Sequence, residues 1–231
     1  MSTRQDVDDA VRYANEAFRN GWRDLSFDER AEYIVKFADA LEQNLPGVID
    51  LLSREAGKSS ASAGFEAGWA VMHLRETAKL RIPEEVIDNG DGAIVTVRHV
   101  PLGVGVAIVP WNFPLLLGVG KLGAALLAGN TLIWKPSPYS PNTACKVVEI
   151  AAKVFPPGVV QVLSGTEDLG PWLTSHPDVA KISFTGSTPT GKKVMAACAN
   201  TLKRVTLELG GNDAAIVCED VNIDEVVPNV R

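Results

Sequence analysis

From Gly103 onward, short β-branched runs alternate with longer helical ones, and no other feature of the chain limits its fold as strongly. Residues 104–109 precede 115–127, 131–134 precede 142–155, 159–163 precede 168–175, and 181–184 precede 189–199; the runs 204–207 and 214–217 read as two more strands. Strand, crossover, strand, repeated, predicts an α/β fold with a parallel sheet, because parallel neighbours need a connection long enough to bring the chain back to the same end. In such an open sheet, ligands sit outside the carboxyl ends of the strands. The turns after each strand are therefore where binding residues are expected.

Upstream of Gly103 the spacing is helical. Val7, Val11, Ala14 and Phe18 recur on one face, as do Ala31, Ile34, Val35, Ala38 and Leu41. Residues 50–55 and 62–80 are further predicted helices. Asp88-Asn89-Gly90-Asp91-Gly92 is a turn signal, and 94–100 alternates like a strand, so 85–100 is expected to form a hairpin. The organisation read from these patterns is a helical segment over 1–84, a hairpin over 85–102 and an α/β domain over 103–231.

Composition excludes several classes. The net charge is −6, and the basic clusters are short pairs such as Lys192-Lys193 and Lys203-Arg204, which argues against nucleic acid as a partner. The longest apolar run, 115–127, is interrupted by Gly118, Gly120, Lys121 and Gly123, too short and too polar for a membrane span. Residues 2–9 are polar and unlike a signal peptide. Cys145, Cys198 and Cys218 are far apart and form no CxxC, so neither a metal site nor a disulfide framework is expected, and a cytoplasmic location fits.

The turn after 181–184 reads Thr185-Gly186-Ser187-Thr188-Pro189-Thr190-Gly191. Gly186 permits close backbone approach, Ser187 or Thr188 can cap a helix, and Pro189 suits its first turn. A helix starting there offers free N–H groups to a phosphate; a plain capped turn fits the same residues. The stretch Gly186 to Lys192 also matches the opening of a P-loop, but Lys193 stands where magnesium needs a hydroxyl, which makes an NTPase a remote alternative. The G-x-G-x-x-G fingerprint is absent, since Gly103 and Gly105 precede a strand.

Four motifs act jointly: Pro110-Trp111-Asn112-Phe113-Pro114; Leu127-Ala128-Gly129-Asn130-Thr131 running to Lys135-Pro136-Ser137; Phe184-Thr185-Gly186-Ser187 with Gly191; and Glu208-Leu209-Gly210-Gly211. Their order and spacing resemble the aldehyde dehydrogenase superfamily over its N-terminal half. The resemblance implies a Rossmann-type parallel sheet with an N-terminal helical layer and a β-hairpin flap for oligomerisation. It implies NAD or NADP as cofactor, bound without the usual glycine fingerprint. Asn112 would donate to an oxyanion, and Glu208, expected to be partly withdrawn from water, would act as general base. Lys135 would reach the adenosine ribose, the Ser137 hydroxyl would attract a 2′-phosphate, and Ser187 would face the pyrophosphate. Val109, Pro110, Trp111, Gly165, Phe184, Thr185, Gly186, Leu209 and Gly210 would line the cofactor cleft, with Phe113, Leu117 and Gly120 on the aldehyde's path. By themselves, Asn112 reads more readily as a turn residue and Glu208 as a solvated strand end.

Two positions depart from the family. Where many NAD-using members carry a ribose-binding Glu, three residues after the lysine, this chain has Pro138. The family's nucleophilic cysteine falls downstream of Arg231, and none of the three cysteines here matches it. The 231 residues alone are therefore expected to be inactive and, with the hairpin edge bare, prone to self-association. A longer form would be a homo-oligomeric enzyme acting on an aldehyde; a non-catalytic nucleotide-binding or scaffold protein is the alternative.

Overall fold

The computed structural model describes residues 1–88, 92 and 94–229. Four helices come first: α1 (Arg4–Arg19), α2 (Phe27–Gln43), α3 (Leu45–Ala56) and α4 (Ser60–Ala78). Their starts are written in the sequence. Thr3 with Asp6, and Ser26 with Glu29, form reciprocal capping boxes at α1 and α2, while Ser59 caps α4. Gly57, at φ 65°, ends α3 in the left-handed conformation.

An antiparallel hairpin follows, β1 (Glu85–Asp88) against β2 (Ile94–Val97), with Glu85 opposite Val97 and Asp88 opposite Ile94. The strands match the expected hairpin; Asn89, Gly90 and Asp91 of its turn lie outside the described residues. Val86, Ile87, Ile94 and Val95 are exposed, so among the described residues the hairpin has no core to cover it.

The remaining strands are β3 (Val104–Ile108), β4 (Thr131–Lys135), β5 (Val160–Val162), β6 (Val179–Gly186) and β7 (Arg204–Leu209). They form one parallel sheet in the order β5-β4-β3-β6-β7, connected by α5 (Pro114–Leu127), α6 (Asn142–Ala151), α7 (Leu169–Ser175) and α8 (Thr188–Ala199). The chain leaves β3 toward one edge and returns to its other side as β6, so the order reverses between β3 and β6. A short helix, α9 (Ile223–Val226), comes last.

Both faces of the central strands are buried, which is why these strands read as continuous apolar runs. Val104, Val106, Ile108 and Ile133 pack toward α1, α7 and α8, while Ala107, Leu132 and Trp134 pack toward α2 and α4–α6. The helical layer is thus divided, with α1 on one face and α2–α4 on the other. Trp134 settles how closely α5 approaches the sheet. A Cβ at Gly118 would lie 1.7 Å from the indole Cζ2, so only glycine leaves room for that ring.

The Leu127-Ala128-Gly129-Asn130 motif is architectural. Asn130 Oδ1 accepts from Leu102 N (2.7 Å) and Gly103 N (3.1 Å), which fixes the entry to β3, and Trp22 Nε1 donates to the Asn130 carbonyl (3.0 Å). Buried Arg30 donates from Nε to the Leu127 carbonyl (2.8 Å), tying α2 to the end of α5.

One expected strand does not form. Residues 214–217 lie outside any strand and are exposed. Local β preference is not enough, because a strand needs a neighbour to satisfy its backbone. Among the described residues, none lies beyond β7, the edge of the sheet.

Candidate active site

The carboxyl ends of β3, β4 and β6 open into a cleft of about 860 Å³, roofed by the loops that follow them and walled by α7 and α8. It lies where the strand order reverses, the position expected for a ligand in this class of sheet. From β3 come Val109, whose N–H donates to the Lys135 carbonyl (3.1 Å), Pro110 and Trp111. From β4 come Lys135 and Ser137, both buried. Lys135 Nζ donates to the Pro136 carbonyl (3.2 Å); burial pushes its ammonium below the ordinary lysine value, and Glu167 opposes that shift. Ser137 Oγ accepts from Tyr139 N (3.2 Å).

From β6 come Phe184, Thr185, Gly186 and Ser187. Ser187 is the N-cap of α8 and accepts from Thr190 N (3.4 Å), as its place before Pro189 indicated. A Cβ at Gly186 would sit 2.6 Å from Phe184 Cζ, so the backbone here has no space for a larger residue. Thr185 Oγ1 is shielded from solvent and has no hydrogen-bond partner.

Sequence reasoning missed the walls. Pro171 and Thr174 of α7, Val194 and Ala197 of α8, and the carboxylate of Glu167 also line the cleft. A usable signal was present: α7 and α8 follow β5 and β6 directly, and Val194 and Ala197 are three apart on one helical face. Three expected residues are not among those lining this cleft. Gly165 abuts Leu169 and the Ser2 carbonyl, Leu209 packs over Gly191 of α8, and the space around Gly210 is open.

A second group lies around α5. Asn112 is exposed in the loop between β3 and α5. Phe113 lies under the Lys58 ammonium, 4.0 Å from its ring centroid. Leu117 is half-buried, and the space above Gly120 is occupied by His73, with Nε2 3.3 Å from where a Cβ would stand. The face of β6 and β7 opposite the apolar core is polar: Lys121 Nζ donates to Ser183 Oγ (3.0 Å) and Lys181 Nζ to Thr206 Oγ1 (2.8 Å). Burial lowers the Lys121 ammonium, nearby Glu208 opposes this and Lys181 adds to it. Glu208 itself is exposed, against the expectation that it is withdrawn from water, because β7 is an edge strand with nothing described beyond it.

Among the described residues, no group of three or more His, Cys, Asp or Glu is placed to hold a metal, and no helix is long and apolar enough to cross a membrane.

A five-stranded parallel sheet with a cleft at its reversal point defines a doubly wound α/β domain, with the cleft where such sheets take ligands. Comparison with known proteins narrows the class. The aldehyde dehydrogenase family profile matches residues 1–231, and the chain belongs to that family. An aldehyde dehydrogenase named LUC3 from a Fusarium species is 45% identical over 226 residues, covering 98% of this chain and 48% of its own length. The NAD+ complex of a Bacillus cereus aldehyde dehydrogenase superposes with a TM-score of 0.94 at 34% identity, covering 98% of this chain and 48% of that one. The NAD+ complex of a Staphylococcus aureus betaine aldehyde dehydrogenase gives 0.88 at 30% identity, covering 91% and 43%. The chain spans about half the length of the relatives it matches.

Proposed function

We propose that the chain is the cofactor-binding half of an NAD(P)-dependent aldehyde dehydrogenase that oxidises an aldehyde to a carboxylic acid. The observation that carries this reading is the cleft at the reversal point, where a capped helix start, a buried lysine and a partnerless threonine oxygen converge. The residues fit a dinucleotide. The α8 N-terminus supplies N–H donors and a positive dipole end to a diphosphate. Thr185 Oγ1 has hydrogen-bonding capacity that the protein leaves unused. Lys135 and Ser137 line the same cleft as that helix start and are available to a ribose, and Val194, Ala197 and Pro171 offer apolar surface to a base. A bound nicotinamide cofactor supplies the hydride acceptor.

The chain's own residues account for two further tasks. The Asn112 amide donates to the carbonyl oxygen as it gains negative charge. Glu208 takes a proton from the water that releases the acyl group. Phe113, Leu117 and Gly120 flank the aldehyde's approach. The attacking thiolate comes from none of the three cysteines: burial raises the Cys145 and Cys198 thiols, which keeps both protonated at neutral pH, and Cys218 has no family counterpart. The hairpin serves as the pairing surface of a cytoplasmic homo-oligomer.

The test compares the 231 residues with the intact protein, including whatever sequence its gene adds. The intact protein forms NAD(P)H when given an aldehyde, and Asn112→Ala lowers turnover by roughly 10²–10³-fold, the usual loss for one oxyanion donor. The 231 residues alone form none. Aldehyde-dependent reduction by the short chain that disappears on Glu208→Gln would overturn this assignment of roles.

A further inference from the structure

Helix α5 starts at Pro114 with Phe113 as its N-cap, a side chain that cannot accept a hydrogen bond. The free N–H groups of its first turn are met from another helix. Glu66 of α4, with 0% of its surface exposed, accepts from Leu115 N (2.9 Å) and Leu116 N (3.1 Å) through Oε1. Its other oxygen, Oε2, pairs with Lys58 Nζ. The same ammonium lies over the Phe113 ring at 4.0 Å. One buried ion pair thus grips both residues that flank Pro114: the carboxylate holds the backbone after it, and the ammonium holds the ring before it.

A carboxylate removed from water is tolerated when it is paired and fully hydrogen-bonded, and both conditions hold here. Apolar residues of equal volume could stand in for the ion pair itself, but they would leave the Leu115 and Leu116 N–H groups without an acceptor, so the carboxylate also serves as the cap of α5. What the pair adds is position. Asn112 immediately precedes the clamped ring, and its amide can reach a developing oxyanion only if the loop between β3 and α5 holds still to within a fraction of an ångström. The loop's upstream end is already anchored by Val109 N on the Lys135 carbonyl. The Lys58–Glu66 pair anchors the downstream end.

We infer that Lys58 and Glu66 are positioning residues for Asn112, which rests on the role proposed above for that amide. A capping aspartate or serine at position 113 would satisfy α5 locally, but it would remove the aromatic surface on the aldehyde side. Moving the cap to α4 leaves position 113 free for phenylalanine.

The test uses the volume-conserving pair Lys58→Met/Glu66→Leu, which leaves no orphaned charge, with Glu66→Gln and Lys58→Arg beside it. Hydrogen exchange over residues 109–117 of the intact protein rises at least tenfold in the double variant, while residues 119–126 keep their protection. Aldehyde turnover falls on the order of 10²-fold, and the dissociation constant for NAD changes less than twofold. The loss vanishes on an Asn112→Ala background, because a clamp has nothing left to position, and Lys58→Arg retains most turnover. Should the double variant not fold, Glu66→Gln reads the same exchange and turnover with a smaller loss of about tenfold. Unchanged exchange, or losses that multiply with Asn112→Ala, would overturn the inference. Faster exchange in a protein that oxidises no aldehyde supports the clamp and overturns the aldehyde reading alone.

Discussion

Replacing Gly118 by alanine places one methyl where Trp134 already is. The new Cβ would stand 1.7 Å from Cζ2 and 2.2 Å from Cε2 of the indole, which is fully buried and packed between α5 and the sheet. Two effects oppose each other. Alanine gains about 1 kcal/mol over glycine inside a helix. Overpacking a close-fitted core costs about 1–3 kcal/mol, and more where the neighbour cannot turn away. An overlap this deep forces α5 off the sheet, so the second effect wins by about 2 kcal/mol, or a fall in Tm of roughly 4–8 °C for a chain of this size. Gly68 supplies the control. It lies on the exposed side of α4, and a Cβ there meets nothing within 4 Å. Gly68→Ala should therefore raise stability by about 0.5–1 kcal/mol through helix preference alone. Thermal and urea unfolding of the two variants beside the wild type measure both signs. A Gly118→Ala protein as stable as the wild type would refute the packing argument.

Two further outcomes follow from charge. His176 is buried, its Nδ1 accepts from Asp178 N (3.1 Å), and burial, opposed by Asp178 and Asp8, holds its imidazolium below the ordinary value. Its unfolded pKa, near 6.5, is therefore the higher one, so the stability it contributes is complete above that pH and is lost as pH falls toward the folded value; Tm measured from pH 7 to pH 5 should drop more steeply in the wild type than in His176→Asn, and equal slopes would contradict this. Pro138 and Glu167 both line the cleft with Lys135, and Glu167 is close enough to act on the Lys135 charge. We expect Glu167→Gln to tighten NADP relative to NAD, and Pro138→Glu to weaken it, each by about tenfold, since a 2′-phosphate brings about two negative charges; unchanged ratios of dissociation constants in both variants would remove these residues from cofactor choice.

The parts of the site that were legible in the sequence share one property. Lys135, Ser137, Gly186 and Ser187 each follow a recognisable strand, and the carboxyl ends of parallel strands are where such a sheet binds ligands. What was hidden depends on contacts across the chain. Glu66 reaches Leu115 from 49 residues away, and Glu55 caps α6 at Thr143 N (2.9 Å) and Thr143 Oγ1 (2.7 Å) from 88 residues away; a surface-type residue in a helical run carries no local sign of either role. The same limit explains residues 214–217 and Glu208. Local pattern read a further strand and a sheltered carboxylate, but both depend on what lies beyond β7. The motif names Trp111, Asn112 and Phe113 as candidates, while the Lys58 and Glu66 contacts to Phe113, Leu115 and Leu116 carry no sign in it.

The central claim is that the start of α8 receives the diphosphate of a dinucleotide. Ser187→Asp tests it with little disturbance to the fold, because aspartate caps a helix as well as serine does. It places a negative charge where the diphosphate should lie. Titration calorimetry with NAD on the intact protein, wild type against Ser187→Asp, with circular dichroism to verify equal helix content, is the direct measurement. The account predicts at least a tenfold rise in the dissociation constant at unchanged Tm; an unchanged constant would show that the dinucleotide, if bound, lies elsewhere.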